Sequence, residues 1–309
     1  MNINKEILDE MTTLLSCDLS TYPYERFQKL YKDIEWITFD LAILQPDDII
    51  IRARKNNDSS EFNEVKEISY KPQNLNTTFQ RASSPNNTMF YGCMIPYNHT
   101  NEEFDNALLA ALFEIIDIEN YSTYDNLINE KVIFGIWKVD SYVPLPVIMT
   151  LKDFYSGKAQ CNFPESRTWL IMPDEKEEKQ INAITQFLHH NFTKRVKHNF
   201  EYIPSAMFTE YLLLKGYEGI YYPGIKSEFD SFNVALSPNC VDKKLKLDYA
   251  FNAIVHMRNG NSLIEGAYTA KQENGKLIYN NVNSKKFQSE KEIIEIFNKF
   301  EKEKMNNNS

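Results

Sequence analysis

Residues 79–115 read FQRASSPNNTMFYGCMIPYNHTNEEFDNALLAALFEI, and the order of elements in this stretch sets the class of fold. Ser83-Ser84-Pro85-Asn86-Asn87 is turn chemistry: proline fixes φ and the asparagines tolerate left-handed backbone. The turn delivers the chain into Met89-Phe90-Tyr91-Gly92-Cys93, which reads as a short strand. Thr100-Asn101-Glu102-Glu103 then matches a capping box, in which Thr100 and Glu103 satisfy each other's orphan N–H groups. The helix predicted behind it has the apolar stripe Phe104, Leu108, Ala111 and Ile115.

Upstream, Ile49 to Arg54 reads as a strand with Arg52 and Arg54 on one face beside Ile50, and Lys55 to about Glu67 as a loop. Lys5 to about Trp36 reads as a helical lead-in, with Ile7, Met11, Leu14 and Leu15 at helix spacing and then Phe27, Leu30 and Tyr31. Downstream, strands are predicted at Val132–Val139, Val143–Met149 and Gly219–Tyr222, and helices at Gln180–Phe192 and Pro204–Lys215. Val241 to Asn281 suggests a small antiparallel sheet with turns at Asn259-Gly260 and Asn274-Gly275, followed by a helix from about Ser289 to Glu303.

The 309 residues are 42% hydrophobic and 25% charged, a globular composition sufficient for one substantial core or two modest ones. A net charge of −9 repels nucleic-acid backbones, so no nucleic-acid partner is expected and any anion must be held by a few local arginines. No apolar run approaches the roughly 20 residues that cross a bilayer, and the first 16 residues carry acidic side chains, so a cytoplasmic protein without a membrane partner is expected. Cys17, Cys93, Cys161 and Cys240 are far apart, which favours buried thiols over a zinc site or a disulfide framework. His189-His190 point in different directions on a helix and read as solvated surface, so no metal is expected.

Arg81, flanked by a turn, can present its planar fork to a phosphate or carboxylate, or can serve as a structural arginine. Arg52 faces the same choice, since an arginine on an apolar strand needs an anion or a partner. Glu114 falls at the edge of the apolar stripe beside Ala107 and Ala110. It is either an exposed flank residue or a carboxylate able to stabilise positive charge developing on a sugar ring. Tyr91 can stack on a flat ring or pack in the core. There is no GxGxxG, no P-loop and no nucleophile elbow, which disfavours ordinary dinucleotide folds and hydrolase triads.

The order of these blocks from about Ile49 to Pro238 resembles the RES-domain family of NAD-degrading bacterial toxins. The matching blocks are Ile50-Ile51-Arg52-Ala53-Arg54, Phe79 to Pro85 with Met89-Phe90-Tyr91-Gly92, and Ala107 to Glu114. They continue with Tyr202-Ile203-Pro204, Glu210-Tyr211-Leu212, Gly216 to Pro223 and Phe232-Asn233-Val234-Ala235-Leu236. The resemblance implies an α+β fold, a compact mixed or antiparallel sheet core with flanking helices, similar to diphtheria-toxin-like ADP-ribosyltransferases. It further implies residues 46–240 as the catalytic domain, 1–45 as a helical extension and 241–309 as a sheet-plus-helix extension.

By position, Arg52 and Arg81 would grip the NAD pyrophosphate or an incoming phosphate. Tyr91 would pack on the nicotinamide end, Glu114 would engage the reacting ribose, and Asn233 would orient the site. NAD would be the substrate rather than a cofactor, with inorganic phosphate as a co-substrate in phosphorolysis. Expected partners are an antitoxin or immunity protein and a second copy of the chain. The family serine that follows the tyrosine-proline pair is replaced by Gly224, with Ser227 and Ser231 nearby. ADP-ribosyl transfer to a macromolecule and a catalytically silent binding module are the competing readings.

Overall fold

In the computed structural model, the capping box forms as its sequence dictates. Thr100 N–H donates to Glu103 Oε2 at 2.6 Å, and Glu103 N–H donates to Thr100 Oγ1 at 3.2 Å. The structure describes residues 5–34, 41–56, 61–95, 98–116, 127–150, 152–153, 175–224, 232–281 and 287–307. Trp36, Cys161, Ser227 and Ser231 lie outside them. The architecture is α+β, with antiparallel strand pairing and seven α-helices among the described residues. No described helix is long and apolar enough to cross a membrane. Contacts divide the chain into one unit of Met1–Ile50, Tyr70–Ala107 and Lys138–Lys246, and another of Ile51–Ser69, Leu108–Trp137 and Leu247–Ser309.

In the first unit the helical lead-in is two helices, α1 (Lys5–Leu15) and α2 (Tyr24–Asp33), one for each apolar stretch. Asp18 interrupts it by capping a 3-10 turn, accepting from Ser20 N–H at 2.9 Å, and Pro23 then restarts the chain ahead of α2. Arg26 spans the two helices with a two-point bond to Glu10, at 2.9 and 3.0 Å. α2 buries Phe27, Leu30 and Tyr31, and the Tyr31 hydroxyl donates to the Pro204 carbonyl at 2.7 Å. That bond joins α2 to α5 (Ile203–Leu214), which follows α4 (Glu175–Thr193). These helices share one core with strand residues Ile220, Tyr222 and Ala235.

Strands β3 (Phe90–Ile95), β7 (Phe232–Leu236) and β6 (Gly219–Pro223) pair antiparallel, with β7 in the middle. Gly219 is required by a close approach: a Cβ there would sit 2.3 Å from the Ala235 carbonyl. A separate antiparallel pair joins β1 (Leu41–Leu44) to β5 (Val143–Pro146), a shorter strand than Val143–Met149 because Pro144 and Pro146 limit its ladder. Residues Pro238–Lys244 form helix α6 instead of the expected start of a sheet. Ser237 caps the helix by accepting from Cys240 N–H at 3.2 Å, and Pro238 suits its first turn.

In the second unit, β8 (Leu245–Arg258), β9 (Asn261–Glu273) and β10 (Lys276–Asn281) form the antiparallel meander expected from the two Asn-Gly pairs. Asn259 and Gly260 have φ of 48° and 71°, and Asn274 and Gly275 have 52° and 78°, matching a type I′ hairpin turn at each. The expected loop after β2 (Ile49–Lys55) contains a 3-10 turn at Val65–Ile68. Ser289 opens the terminal helix α7 (Glu290–Asn307). Helix α3 (Asn101–Ile115) and strand β4 (Ile128–Val139) complete the described elements.

Candidate functional site

Three of the candidate residues are carried by the first unit. Gln80 and Ser83 close one tight turn, with N–H to carbonyl bonds of 2.9 and 3.2 Å. Asn87 N–H closes a second on the Ser84 carbonyl at 2.9 Å, with Asn86 at φ 61°. The serines and asparagines therefore build the turns the sequence announced, and Arg81 projects from the first. Its Nη1 donates to the carbonyl of Phe192 and, at 3.4 Å, to that of Lys194, at the end of α4. The guanidinium carbon lies 5.1 Å from the centre of the Tyr202 ring. Arg81 is 9% exposed, so these contacts are made largely out of water.

Tyr91 returns to the same turn from β3. Its hydroxyl accepts from Ala82 N–H at 3.0 Å and lies 2.7 Å from Ser83 Oγ, which itself accepts from Met89 N–H at 3.1 Å. Ser83 is fully buried, so this exchange between hydroxyls fixes the spacing between the turn and the strand. Ser84 Oγ donates to Glu210 Oε2 on α5 at 3.2 Å, pinning the second turn to that helix.

Sheet register adds Asn233. Tyr91 lies opposite Ala235 and Cys93 opposite Asn233, so Tyr91 and Asn233 occupy diagonal positions on one face of the β3–β7 pair. Tyr222, opposite Asn233 on the other side, shares that face and packs on Phe192 with ring centres 5.6 Å apart. Phe192 is the residue whose carbonyl Arg81 holds. Arg81, Tyr91 and Asn233 thus converge on one sheet face and the end of the helix beside it. Gly224 follows β6 directly.

Arg52 and Glu114 belong to the second unit. Arg52 is half-buried between Ile51 and Ala53, which are buried on the opposite strand face. Arg54, on the Arg52 face, donates to the Glu67 carbonyl and lies over the Phe62 ring at 5.2 Å. Glu114 is half-buried near the end of α3, with Ala110 and Ala107 buried one and two turns earlier, which is the stripe-edge position expected.

Lys194, Ser83 and Tyr202 also belong to this local frame; Ser83 and Tyr202 lie in matching blocks without a role of their own, and Lys194 lies in none. A basic residue just past a helix end is the one signal that could have marked Lys194. Its Nζ donates to Asn191 Oδ1 at 3.0 Å. Burial lowers the Lys194 pKa, and the neighbouring Arg81 charge adds to that, against Glu201 and Cys17. His189 is half-buried rather than solvated, and burial holds its pKa down; His190 is exposed. Cys93 and Cys240 are buried free thiols and Cys17 is half-buried. Among the described residues no group of three or more His, Cys, Asp or Glu side chains is arranged to hold a metal. No protein-family model matches the chain, and no curated protein matches it.

Proposed function

We propose that this chain cleaves NAD at the nicotinamide–ribose bond, with a RES-like catalytic region over residues 46–240 and a fold related to the diphtheria-toxin-like ADP-ribosyltransferases. The observation that supports this best is the convergence of Arg81, Tyr91 and Asn233, three positions of the family pattern, on one sheet face and its adjoining turn. In this reading the arginine takes a phosphate oxygen and the ring of Tyr91 packs on the nicotinamide end, since its hydroxyl is already engaged with Ala82 and Ser83. Arg52 and Glu114 take their roles from the resemblance.

The glycosidic C–N bond breaks with its electron pair passing to the ring nitrogen, so the pyridinium leaves as neutral nicotinamide. The ribose carbon becomes oxocarbenium-like, and a carboxylate such as Glu114 stabilises that charge. Water or phosphate then forms the new C–O bond and gives up a proton, yielding ADP-ribose or its 1″-phosphate. The protein would act in the cytoplasm as a toxin or defence effector, restrained by an antitoxin or immunity partner.

A catalytically silent module is the second reading. It is favoured by Gly224 at the serine position and by Arg81 Nη1 being engaged with two main-chain carbonyls. Incubating the full chain with NAD, with and without phosphate, and identifying products by mass separates the two. Nicotinamide release is expected; a folded chain that leaves NAD intact under both conditions is a binding module.

A further inference from the structure

Among the described residues, Tyr22 is the only one other than glycine, asparagine or aspartate with a positive φ, 54°. Asparagine and aspartate tolerate left-handed backbone, whereas a bulky side chain is strained in it. The conformation has a structural use, because the Tyr22 N–H closes the 3-10 turn Leu19–Thr21 on the Leu19 carbonyl at 3.0 Å. Glycine or asparagine would close that turn with less strain. The tyrosine ring gains little from burial in return, since Tyr22 is 47% exposed.

The next turn brings up a second ring. Pro23, with φ −78° and ψ 57°, forms an inverse γ-turn, closed by Tyr24 N–H on the Tyr22 carbonyl at 2.8 Å. The Tyr22 and Tyr24 ring centres stand 5.8 Å apart, and they lie 6.5 and 5.8 Å from that of Phe79. Phe79 is buried, while Tyr24, like Tyr22, stays exposed. Two closed turns thus hold two aromatic faces at the surface against a buried ring, so little freedom is lost when a flat ring stacks on them.

The place of these rings in the fold selects their occupant. Phe79 precedes Arg81 by two residues, a span of at most about 7 Å. The Leu19–Thr21 turn packs on the Asn199–Tyr202 turn, whose Tyr202 ring lies beside the Arg81 guanidinium. The rings are therefore continuous with the frame that carries Arg81, Tyr91 and Asn233. They form a neutral surface in a chain of net charge −9, which suits a single uncharged base and disfavours a nucleic-acid strand. In the NAD reading Tyr91 takes the nicotinamide end, and the adenine is the flat ring that still needs a site.

We propose that Tyr22 and Tyr24 form a stacking platform for the adenine of NAD. The inference rests on the NAD reading and adds a base subsite built from the helical extension, outside the region of resemblance. The test measures binding of AMP and of nicotinamide mononucleotide to the full-length protein by calorimetry, together with NAD consumption. It compares wild type with Tyr22→Gly, Tyr24→Leu and Tyr24→Phe, with melting curves on each. The two probes share ribose and phosphate and differ in the ring.

Tyr22→Gly and Tyr24→Leu are each expected to weaken AMP binding about tenfold, the loss of one base–aromatic stack, and to leave nicotinamide mononucleotide unchanged. Tyr24→Phe keeps the ring and should bind AMP as wild type does. Tyr22→Gly should melt at or above wild type, because glycine takes this backbone without strain. A ring that only packs on Phe79 predicts the opposite pair, a lower melting temperature with AMP affinity unchanged, and that result overturns the proposal. An equal loss for both nucleotides, or a wild type that binds no AMP, overturns it as well. Tyrosine-dependent AMP binding in a chain that consumes no NAD retains the platform and removes the NAD reading. NAD consumption with wild-type AMP affinity in both ring-removing variants does the reverse.

Discussion

Replacing Arg81 by alanine separates its work in folding from its work in binding. The substitution removes the Nη1 bonds to the Phe192 and Lys194 carbonyls and the stacking on Tyr202, from a side chain 9% exposed. A hydrogen bond from a charged group contributes about 1.5–3 kcal/mol, and a partly desolvated cation over an aromatic ring about 0.5–2 kcal/mol. Because the 3.4 Å bond is weak, a total near 3 kcal/mol is a reasonable expectation for Arg81→Ala. For a body of this size each kcal/mol moves the melting temperature by roughly 2–4 °C, so a fall of about 6–12 °C is expected. Arg81→Lys keeps a cation near the carbonyls and should recover part of that loss, but it lacks the planar fork and should bind NAD more weakly than wild type. Thermal melts and NAD calorimetry on the same preparations decide. A fall of less than about 2 °C in Arg81→Ala refutes the capping argument. A destabilised but folded Arg81→Ala protein with unchanged NAD affinity makes the residue a cap and nothing more.

Glu114→Gln should leave fold and NAD affinity nearly intact while lowering single-turnover rate about a hundredfold, roughly 2.7 kcal/mol of barrier, because the neutral amide keeps the shape without the field. Wild-type turnover in that variant would sink the catalytic assignment. Lys194 predicts a pH dependence. Its folded pKa is depressed, first by burial and then by Arg81, so between that value and the ordinary lysine value near 10.4 the unfolded state binds more protons. Stability from this group therefore rises with pH across that window. Urea titrations from neutral to alkaline pH should show wild type gaining on Lys194→Met as pH increases; a flat or opposite difference contradicts the burial of the ammonium.

What the sequence disclosed was mostly local chemistry. Thr100 with Glu103 and the two Asn-Gly pairs specify their own geometry within four residues, and each forms as read. Helical spacing over residues 5–36 revealed two helical stretches but not where they part, although Asp18 and Pro23 are the punctuation that separates them. The same oversight applies to Ser237-Pro238, a helix-start signal just ahead of the segment Val241 to Asn281 read as sheet. Arg81, Tyr91 and Asn233 were singled out through a resemblance, and nothing local in the sequence places them about one turn and sheet face. Lys194 was not legible at all, because its relation to Arg81 spans 113 residues and exists only once α4 packs beside the strands.

That long-range relation bears on the missing serine. Ser83 cannot take its place, since its hydroxyl lies buried between Met89 N–H and the Tyr91 hydroxyl, and Ser84 is committed to Glu210. A hydroxyl positions phosphate through one or two neutral hydrogen bonds, whereas a guanidinium adds charge and a planar fork of donors. If Arg81 holds the phosphate, Gly224 no longer argues against phosphorolysis, because the co-substrate would be retained by charge rather than by a hydroxyl after β6. If Arg81 holds the NAD pyrophosphate instead, the acceptor lacks a dedicated anion site and water becomes the expected nucleophile. The products of incubation with NAD, with and without phosphate, therefore decide between phosphorolysis and hydrolysis.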